Sequence, residues 1–479
     1  MSASPPEFSS RSWMFYDNLN RDSEAMGKPS EIIRRTIGPL DKRKNTTRCQ
    51  PCANRRVKCD GGHPCERCVR TKKICAPQRP EQTRVKFVHV SGHALSDTIP
   101  MQVRKHDGAI YLDHFASFLQ RCHFSKGFAA TNADIVTVID RFPLLLHIAI
   151  AIGALEAGRK GSIRSYGEFE SPQQVAFRAC GRSIQVLHSA ISTANLVFRE
   201  DVFWSTFLHG LFELMAENSG NSFANHMVFG TSKMLLLLEH TNSLSLPTKS
   251  LIDAFWILET NRAILYGDDI TLLPDKWQWS LTRESWPDPM KKILMLMIQT
   301  STFAKRFFDT IESIPQGLRS LDPRLDALAL EGLEIKETIL NWRESHMERL
   351  PRDAFIQLAV VVHQALLLYH CRNFTFYSCW MTRTIPQLNQ SEVDKHVATI
   401  LDLSQSLLSD TYIPAVLLLF PLRMAGAHVF QSHAQEKLLG TIRKIRQKGF
   451  IVSDRIEVDL QEFWHYKLGE LTKANEMHV

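Results

Sequence analysis

The sequence contains no hydrophobic run that we expect to cross a membrane. The longest candidate, Phe142 to Ala157, has about 16 residues where about 20 are needed, and Pro143 and His147 interrupt it. The N-terminus also lacks the basic and then apolar build of a secretory signal. These absences predict a protein of the nucleus or cytoplasm, with no membrane partner, in which cysteine thiols stay reduced.

The common sequence patterns of catalytic sites are missing as well. The chain has no HExxH, GxSxG or GxGxxG. The segment nearest to a phosphate-binding loop, Gly153 to Lys160, lacks the final Ser or Thr and has no strand before it. Several histidines and cysteines lie in apolar segments without ligand spacing, and we expect them to be structural: His147, His209, His226, His363, Cys122, Cys180, Cys371 and Cys379. The sequence therefore predicts that the protein is not an enzyme.

Alternating strand patterns are almost absent, apart from a short candidate at Arg84 to Val90. From about residue 109 onward, apolar residues recur every three or four positions, as in amphipathic helices. Further helices are predicted at 354–371 and 434–449. The clearest apolar stripes are Tyr111, Leu112, Phe115, Phe118, Leu119 and Cys122; Cys180, Ile184, Leu187 and Ile191; and Phe203, Trp204, Phe207, Leu208, Leu211, Phe212 and Met215. The body of the chain is therefore predicted to be all-α.

Cysteine is concentrated in one short segment. Six of the ten cysteines fall within 27 residues, and the pattern C-x2-C-x6-C occurs twice with an offset of 16. Each C-x2-C pair can direct two thiolates to one metal ion. A tetrahedral zinc needs four ligands, so six sulfurs fill two zinc sites only if two sulfurs bridge them. The six cysteines are Cys49, Cys52, Cys59, Cys65, Cys68 and Cys75.

Positive charge is concentrated in the same segment. Residues 42–79 hold twelve lysines and arginines against Asp60 and Glu66, a net charge of +10, while the whole chain carries +7. The remaining residues are therefore mildly acidic. A basic island on an acidic body is typical of a module that binds nucleic acid.

The segment Arg48 to Cys75, RCQPCANRRVKCDGGHPCERCVRTKKIC, resembles the fungal Zn2Cys6 binuclear-cluster family of transcription regulators. The six cysteine spacings, the basic run Arg55 to Lys58 and Pro64 carry the resemblance. It implies two Zn²⁺ ions bridged by Cys49 and Cys65. One zinc would also bind Cys52 and Cys59, and the other Cys68 and Cys75.

The body resembles the fungal-specific transcription factor domain that follows such clusters. The segments that carry this likeness are Tyr111 to Phe115, Pro143 to Gly158, the stripe at 203–215 with Gly220-Asn221, and Phe420-Pro421-Leu422. The predicted domains are a disordered tail at 1–41, the DNA-binding cluster at 42–79, a linker at 80–108 and an all-α regulatory domain at 109–479.

The family resemblance implies that the end of the first helix enters the DNA major groove over a CGG-type triplet. There Arg56, with Arg55 beside it, would meet base edges, and the planar guanidinium suits guanine O6 and N7. Five other basic residues are expected to contact phosphates, which set affinity and register: Lys58, Arg67, Arg70, Lys72 and Lys73.

The predicted function is thus a nuclear, sequence-specific DNA-binding regulator of RNA polymerase II genes, with double-stranded DNA and the transcription machinery as partners. Relatives with this layout commonly control metabolic or secondary-metabolite genes. Two alternatives stay open: a metal-thiolate sensor or store that does not act on DNA, and an enzyme with an accessory zinc module. Lys42-Arg43-Lys44 provides a plausible nuclear import signal.

Oligomeric state is also left open. Many relatives place a heptad coiled coil after the cluster, but residues 76–107 show no sustained heptad repeat, and Pro77 and Pro80 interrupt its start. The chain then binds DNA as a monomer, or forms a homodimer through the helical body.

Overall fold

The computed structural model describes residues 49, 51–52, 64–75, 107–133, 135–163, 170–192, 199–226, 230, 245–267, 288–344, 353–380 and 383–476. The chain divides into two compact units. One includes the cysteine segment within residues 23–103, and the other includes the body, residues 104–479.

Several predictions lie outside the described residues. They are the tail at 1–41, the basic run Lys42 to Lys44, the strand at Arg84 to Val90 and most of the linker at 80–108. The predicted domain limits therefore stay predictions.

In the described part of the body, every regular element is a helix, which confirms the all-α prediction. Helix α1 (Glu66–Arg70) belongs to the cysteine segment. The body then contains α2 (Asp107–Leu119), α3 (Lys126–Ala133), α4 (Ile135–Arg141), α5 (Leu146–Lys160), α6 (Pro172–Ser192), α7 (Glu200–Ala216), α8 (Asn221–Asn225), α9 (Leu246–Tyr266), α10 (Asp288–Glu312), α11 (Arg324–Glu344), α12 (Ala354–Phe376), α13 (Gln390–Asp410), α14 (Leu419–Gly426), α15 (Ser432–Gln447) and α16 (Ser453–Glu476). Short 3₁₀ helices occur at Pro143–Leu145, Gln316–Leu321 and Ala415–Leu418.

Polar side chains fix where several helices begin. Asn389 starts α13 with a capping box, because its side chain accepts from the Glu392 N–H at 2.9 Å while the Glu392 carboxylate accepts from the Asn389 N–H at 2.8 Å. Asp353 caps α12 by accepting from the Phe355 N–H at 2.8 Å. These contacts satisfy N–H groups that have no partner within the helix.

Helix α12 lies at the centre of the core and packs against α10, α11, α13 and α14. Its length and hydropathy alone would suit a membrane span, and 78% of the relevant window is buried inside the body. The apolar run Phe142 to Ala157 is therefore not the longest in the chain. Burial on all sides explains why α12 is apolar around its whole circumference.

The predicted apolar stripe of α2 faces the core. Tyr111, Phe115, Phe118 and Leu119 are buried. Helices α2 and α5 touch through their backbones at Gly153, where a Cβ atom would lie 1.8 Å from the Tyr111 carbonyl oxygen. The glycine is required here because no larger residue fits between the two helices.

A fully buried carboxylate strengthens the same contact. Glu156 of α5 pairs with Arg121 beyond the end of α2, with Arg159 at 2.7 Å and with Lys160 at 3.1 Å. Burial alone would raise the pKa of Glu156, but hydrogen bonds and charge from Arg159 and Arg121 lower it. The carboxylate is therefore ionised and compensated by three cations.

The predicted apolar stripe of α6 is mostly exposed, unlike the stripe of α2. The helix is present as predicted, but Ile184 and Ile191 are each 53% exposed, and Cys180 and Leu187 are only partly buried. The buried residues of α6 are Pro172, Ala176, Ala179 and Ser183, and the partly buried Val175 and Cys180 also pack against the core. Periodicity correctly predicted the helix, but of the predicted stripe only Cys180 packs against the core, and Ile184 and Ile191 are exposed.

Candidate metal centre

The second half of the cysteine motif folds around α1. Cys65 is its N-cap, and its Sγ accepts a hydrogen bond from the Cys68 N–H at 3.4 Å. The C-x2-C pair of the second half therefore lies at the start of a short helix. Both sulfurs stand at the helix N-terminus, where free N–H groups and the helix dipole favour negative charge.

Helix α1 ends after five residues, and a tight turn then returns the chain to the sulfurs. Lys72 has φ of 49°, in the left-handed region, and the Lys73 N–H donates to the Cys68 carbonyl at 3.0 Å. As a result, Cys75 reaches the cluster, where its Sγ accepts from the Cys65 N–H at 3.3 Å. The sequence did not indicate this turn, because lysine is not a residue that favours positive φ.

Four sulfurs converge at this point. The Sγ atoms of Cys49, Cys65, Cys68 and Cys75 all lie within 4.8 Å of one another. Among the described residues, no other group of three or more His, Cys, Asp or Glu side chains gathers its ligand atoms in this way. The set equals the four ligands that the family resemblance implies for the second zinc.

The distances between the sulfurs fit a tetrahedral metal ion. Cys49 Sγ lies 3.7 Å from Cys65 Sγ and 3.6 Å from Cys68 Sγ. A Zn–S bond of about 2.3 Å in tetrahedral geometry places neighbouring sulfurs about 3.8 Å apart. A disulfide would require about 2.05 Å. Four thiolates at this spacing are a donor set that can hold a metal ion such as Zn²⁺.

A fifth sulfur lies beside this group. Cys52 Sγ is 3.8 Å from Cys65 Sγ, so Cys65 is close to sulfurs from both halves of the motif. The sixth cysteine, Cys59, lies outside the described residues.

The thiols differ in their tendency to ionise. The hydrogen bond from the Cys68 N–H lowers the pKa of Cys65 to about 6. Burial raises the pKa of Cys49 and Cys52, and that of Cys68 to about 12. Buried thiols of this kind become thiolates when a cation neutralises them, so metal uptake should release protons.

The predicted phosphate-contacting residues of the second half are on the surface. Arg67, Arg70, Lys72 and Lys73 are all exposed. Arg55, Arg56 and Lys58 lie outside the described residues. Two exposed apolar residues also lie in this basic surface, Val69 at 59% and Ile74 at 90% exposed, and no sequence pattern indicated their exposure.

Three histidines of the apolar segments donate hydrogen bonds to backbone carbonyls, which is a structural role. His226 Nε2 donates to the Thr206 carbonyl at 2.6 Å, and His209 Nδ1 donates to the Ser205 carbonyl at 2.8 Å. His363 Nε2 donates to the Ile339 carbonyl at 2.9 Å. Of the four scattered cysteines, Cys122, Cys371 and Cys379 are buried, and Cys180 is half-buried.

The all-α body matches a known family. Residues 111–471 match the model of the fungal specific transcription factor domain. Because the match spans most of the chain, the protein belongs to this family, and membership implies a transcription regulator. Comparison with curated proteins and with solved structures gave no significant match.

Proposed function

We propose that the protein is a nuclear, zinc-dependent transcription regulator that binds DNA through residues 42–79. The observation that carries the proposal is the convergence of Cys49, Cys65, Cys68 and Cys75 within 4.8 Å, in a chain whose body is a transcription factor domain. Four thiolates around Zn²⁺ stabilise small modules that cannot form a hydrophobic core of their own.

The cluster holds two Zn²⁺ ions in this proposal. Cys49, Cys65, Cys68 and Cys75 bind one ion, and Cys49, Cys52, Cys59 and Cys65 bind the other. The position of Cys65, with Cys49 Sγ at 3.7 Å and Cys52 Sγ at 3.8 Å, supports its role as a bridge. Zinc here fixes the fold of the module and does not take part in a reaction.

The cations of the module divide into two groups. Arg56, with Arg55 beside it, reads a CGG-type triplet through guanine O6 and N7. Lys58, Arg67, Arg70, Lys72 and Lys73 bind phosphates. Arg67, Arg70, Lys72 and Lys73 are exposed, which supports this role, because a side chain must be accessible from solvent to contact a DNA phosphate.

Replacing Arg56 should remove sequence preference. We expect Arg56→Ala to reduce the free energy of binding by about 1–3 kcal/mol for a duplex with a CGG triplet and by little for a scrambled duplex. Lys72→Asn should weaken binding to both duplexes equally. It should also reduce the salt dependence of the affinity by about one released counterion. Asparagine is chosen because it tolerates the positive φ of 49° at Lys72, so the variant changes charge without straining the turn.

Fluorescence anisotropy titrations of the full chain on the two duplexes, at two salt concentrations, measure these effects. Arg56→Lys is the matched control, since it keeps the charge and should retain most of the preference. The assignment of base recognition to Arg56 and phosphate contact to Lys72 is wrong if Arg56→Ala weakens binding to both duplexes equally while Lys72→Asn abolishes the preference for the CGG duplex.

A further inference from the structure

A narrow cleft lies where three helices of the body end. It is formed by residues at or just beyond the C-terminal ends of α2, α13 and α15, and it has about 340 Å³ of space, including the part open to solvent. This volume is near the lower limit for small-molecule sites, so a ligand has to be small. No residue of the cysteine segment lines the cleft.

The floor of the cleft is apolar and buried. It consists of Phe118, Cys122, Leu408, Ile413, Ala415 and Phe450. The rings of Phe118 and Phe450 pack with their centroids 5.9 Å apart. Gly449 permits this contact, because its φ of 112° turns the chain and a Cβ atom there would lie 3.2 Å from the Phe118 ring. Burial raises the pKa of the Cys122 thiol to about 12, so the floor carries no charge at neutral pH.

Two cations, Arg121 and Lys448, also line the cleft, and none of the described lining residues is acidic. The Arg121 guanidinium lies over the Phe118 ring, 6.0 Å from its centroid, and pairs with Glu156. Lys448 is half-buried, and among the described residues no carboxylate pairs with it. A cation that is partly removed from water without a counter-ion is unfavourable, so a bound anion would stabilise it.

Glu156 does not neutralise this region of the body. It is fully buried and already pairs with three cations, so the group keeps an excess of two positive charges. A Cβ atom on Gly449, the residue after Lys448, would lie 3.8 Å from a Glu156 oxygen, so Lys448 adds a third positive charge close to the same group. The cleft therefore attracts an anion and offers that anion an apolar floor.

We propose that the cleft binds a small monocarboxylic acid with a short apolar chain. The carboxylate pairs with Lys448 and Arg121, and the chain lies on the floor formed around Phe118 and Phe450. A neutral apolar molecule would leave Lys448 without a counter-ion, and an inorganic anion would leave the apolar floor in contact with water. Because the ligand contacts residues at the ends of α2, α13 and α15, binding should stabilise the body against unfolding.

A series of unbranched carboxylates tests the chemistry of the cleft. Acetate, butyrate and hexanoate are titrated into the full chain, and binding is followed by ligand-observed NMR and by thermal unfolding. We expect the affinity to rise with chain length, by up to about fourfold for each methylene that the floor covers. Hexanamide has nearly the same shape without the charge, and we expect it to bind about 10- to 100-fold more weakly than hexanoate.

Lys448→Gln tests the position of the carboxylate. Lys448 has no ion pair among the described residues, so its replacement leaves no known carboxylate unpaired and Glu156 keeps its three cations. The variant should bind hexanoate at least about tenfold more weakly and hexanamide unchanged. Lys444→Gln is the matched control, since Lys444 is an exposed lysine one turn earlier on α15 that does not line the cleft, and it should bind hexanoate like the unmodified chain.

Ala415→Leu tests the position of the apolar chain. Ala415 is buried in the floor, and a larger side chain there should fill the space that the ligand needs. Binding of hexanoate should be lost, while binding of acetate should be retained. Circular dichroism checks the fold of each variant, and Lys448→Gln decides the question by itself if Ala415→Leu does not fold.

Three results would overturn the inference. The first is the absence of saturable hexanoate binding, which would mean that the cleft holds only water. The second is hexanamide that binds as tightly as hexanoate. The third is a folded Lys448→Gln variant with the same affinity for hexanoate as the unmodified chain and Lys444→Gln. These titrations require no DNA and do not depend on the metal content of the cysteine segment, so the ligand site can fail while the proposed function stands.

Discussion

Cys65→Ala is expected to release both metal ions and to abolish selective DNA binding. Cys65 is the N-cap of α1, it lies within 3.8 Å of two other cysteine sulfurs, and it is a proposed ligand of both metal ions. Cys49→Ala should have the same effect for the same reason. Cys52→Ala removes a ligand of only one ion, so part of the metal should remain.

Native mass spectrometry of the full chain measures the metal content of each variant. We expect two Zn²⁺ ions in the unmodified protein, none in Cys65→Ala and an intermediate content in Cys52→Ala. Cys122→Ala, a buried cysteine of the body, is the control and should keep both ions. Equal metal loss in all six single cysteine variants would contradict the assignment of the bridging ligands.

The body is expected to lose stability as the pH falls from about 6.5 to about 4. Burial lowers the pKa of His363, His370 and His396 to about 4, while an unfolded histidine titrates near 6.5. In this interval the unfolded chain binds more protons than the folded chain, so acid favours unfolding. Each histidine contributes about 2–3 kcal/mol at neutral pH that is lost by pH 4.

The contacts of His363 explain why it stays neutral. His396 Nδ1 donates to the Gln364 side-chain oxygen, Gln364 Nε2 donates to His363 Nδ1 at 3.0 Å, and His363 Nε2 donates to the Ile339 carbonyl. Protonated His363 would lose its acceptor nitrogen, and the Gln364 amide would then face a second N–H. The chain of hydrogen bonds joins α11, α12 and α13, so its disruption should loosen all three.

Urea unfolding followed by circular dichroism at pH 7, 5.5 and 4.5 measures this dependence. His363→Gln should reduce the dependence on pH, whereas His433→Gln, at an exposed position on α15, should leave it unchanged. Glu213 acts in the opposite direction, because burial raises its pKa to about 7, so its contribution to stability grows in acid. If His363→Gln and the unmodified chain show the same dependence of the free energy of unfolding on pH, His363 does not have this role, whatever Glu213 contributes.

Sequence patterns predicted the helices of the body better than their packing. The spacing of Tyr111, Phe115 and Phe118 identified both the helix α2 and its buried face, because a core contact leaves a period of 3.6 residues. The same kind of stripe on α6 identified the helix but not its exposure. Periodicity shows that one face of a helix is apolar, but it does not show which part of the protein covers that face.

The hydrogen-bond chain from His396 to Ile339 could not be predicted from the sequence. Its members lie on three helices, and only the packing of α12 between α11 and α13 brings them together. In the sequence each histidine is simply a polar residue in an apolar segment.

The metal centre was predictable because its ligands are close together in the sequence, at spacings that are typical of metal sites. The C-x2-C pair places two sulfurs at one helix start, and the second half folds in this way around Cys65 and Cys68. The turn at Lys72 was not predictable, since it depends on the need to return Cys75 to the cluster and not on any preference of lysine.

Zinc-dependent selectivity for DNA in the full chain is the most direct test of the proposed function. Anisotropy titrations compare a duplex that contains a CGG triplet with a scrambled duplex, first with zinc bound, then after chelation and finally after zinc is restored. We expect the chain to prefer the CGG duplex with zinc bound, to lose that preference on chelation and to regain it with Zn²⁺. Equal affinity for both duplexes with zinc bound, or a preference that survives complete removal of the metal, would contradict the proposed function.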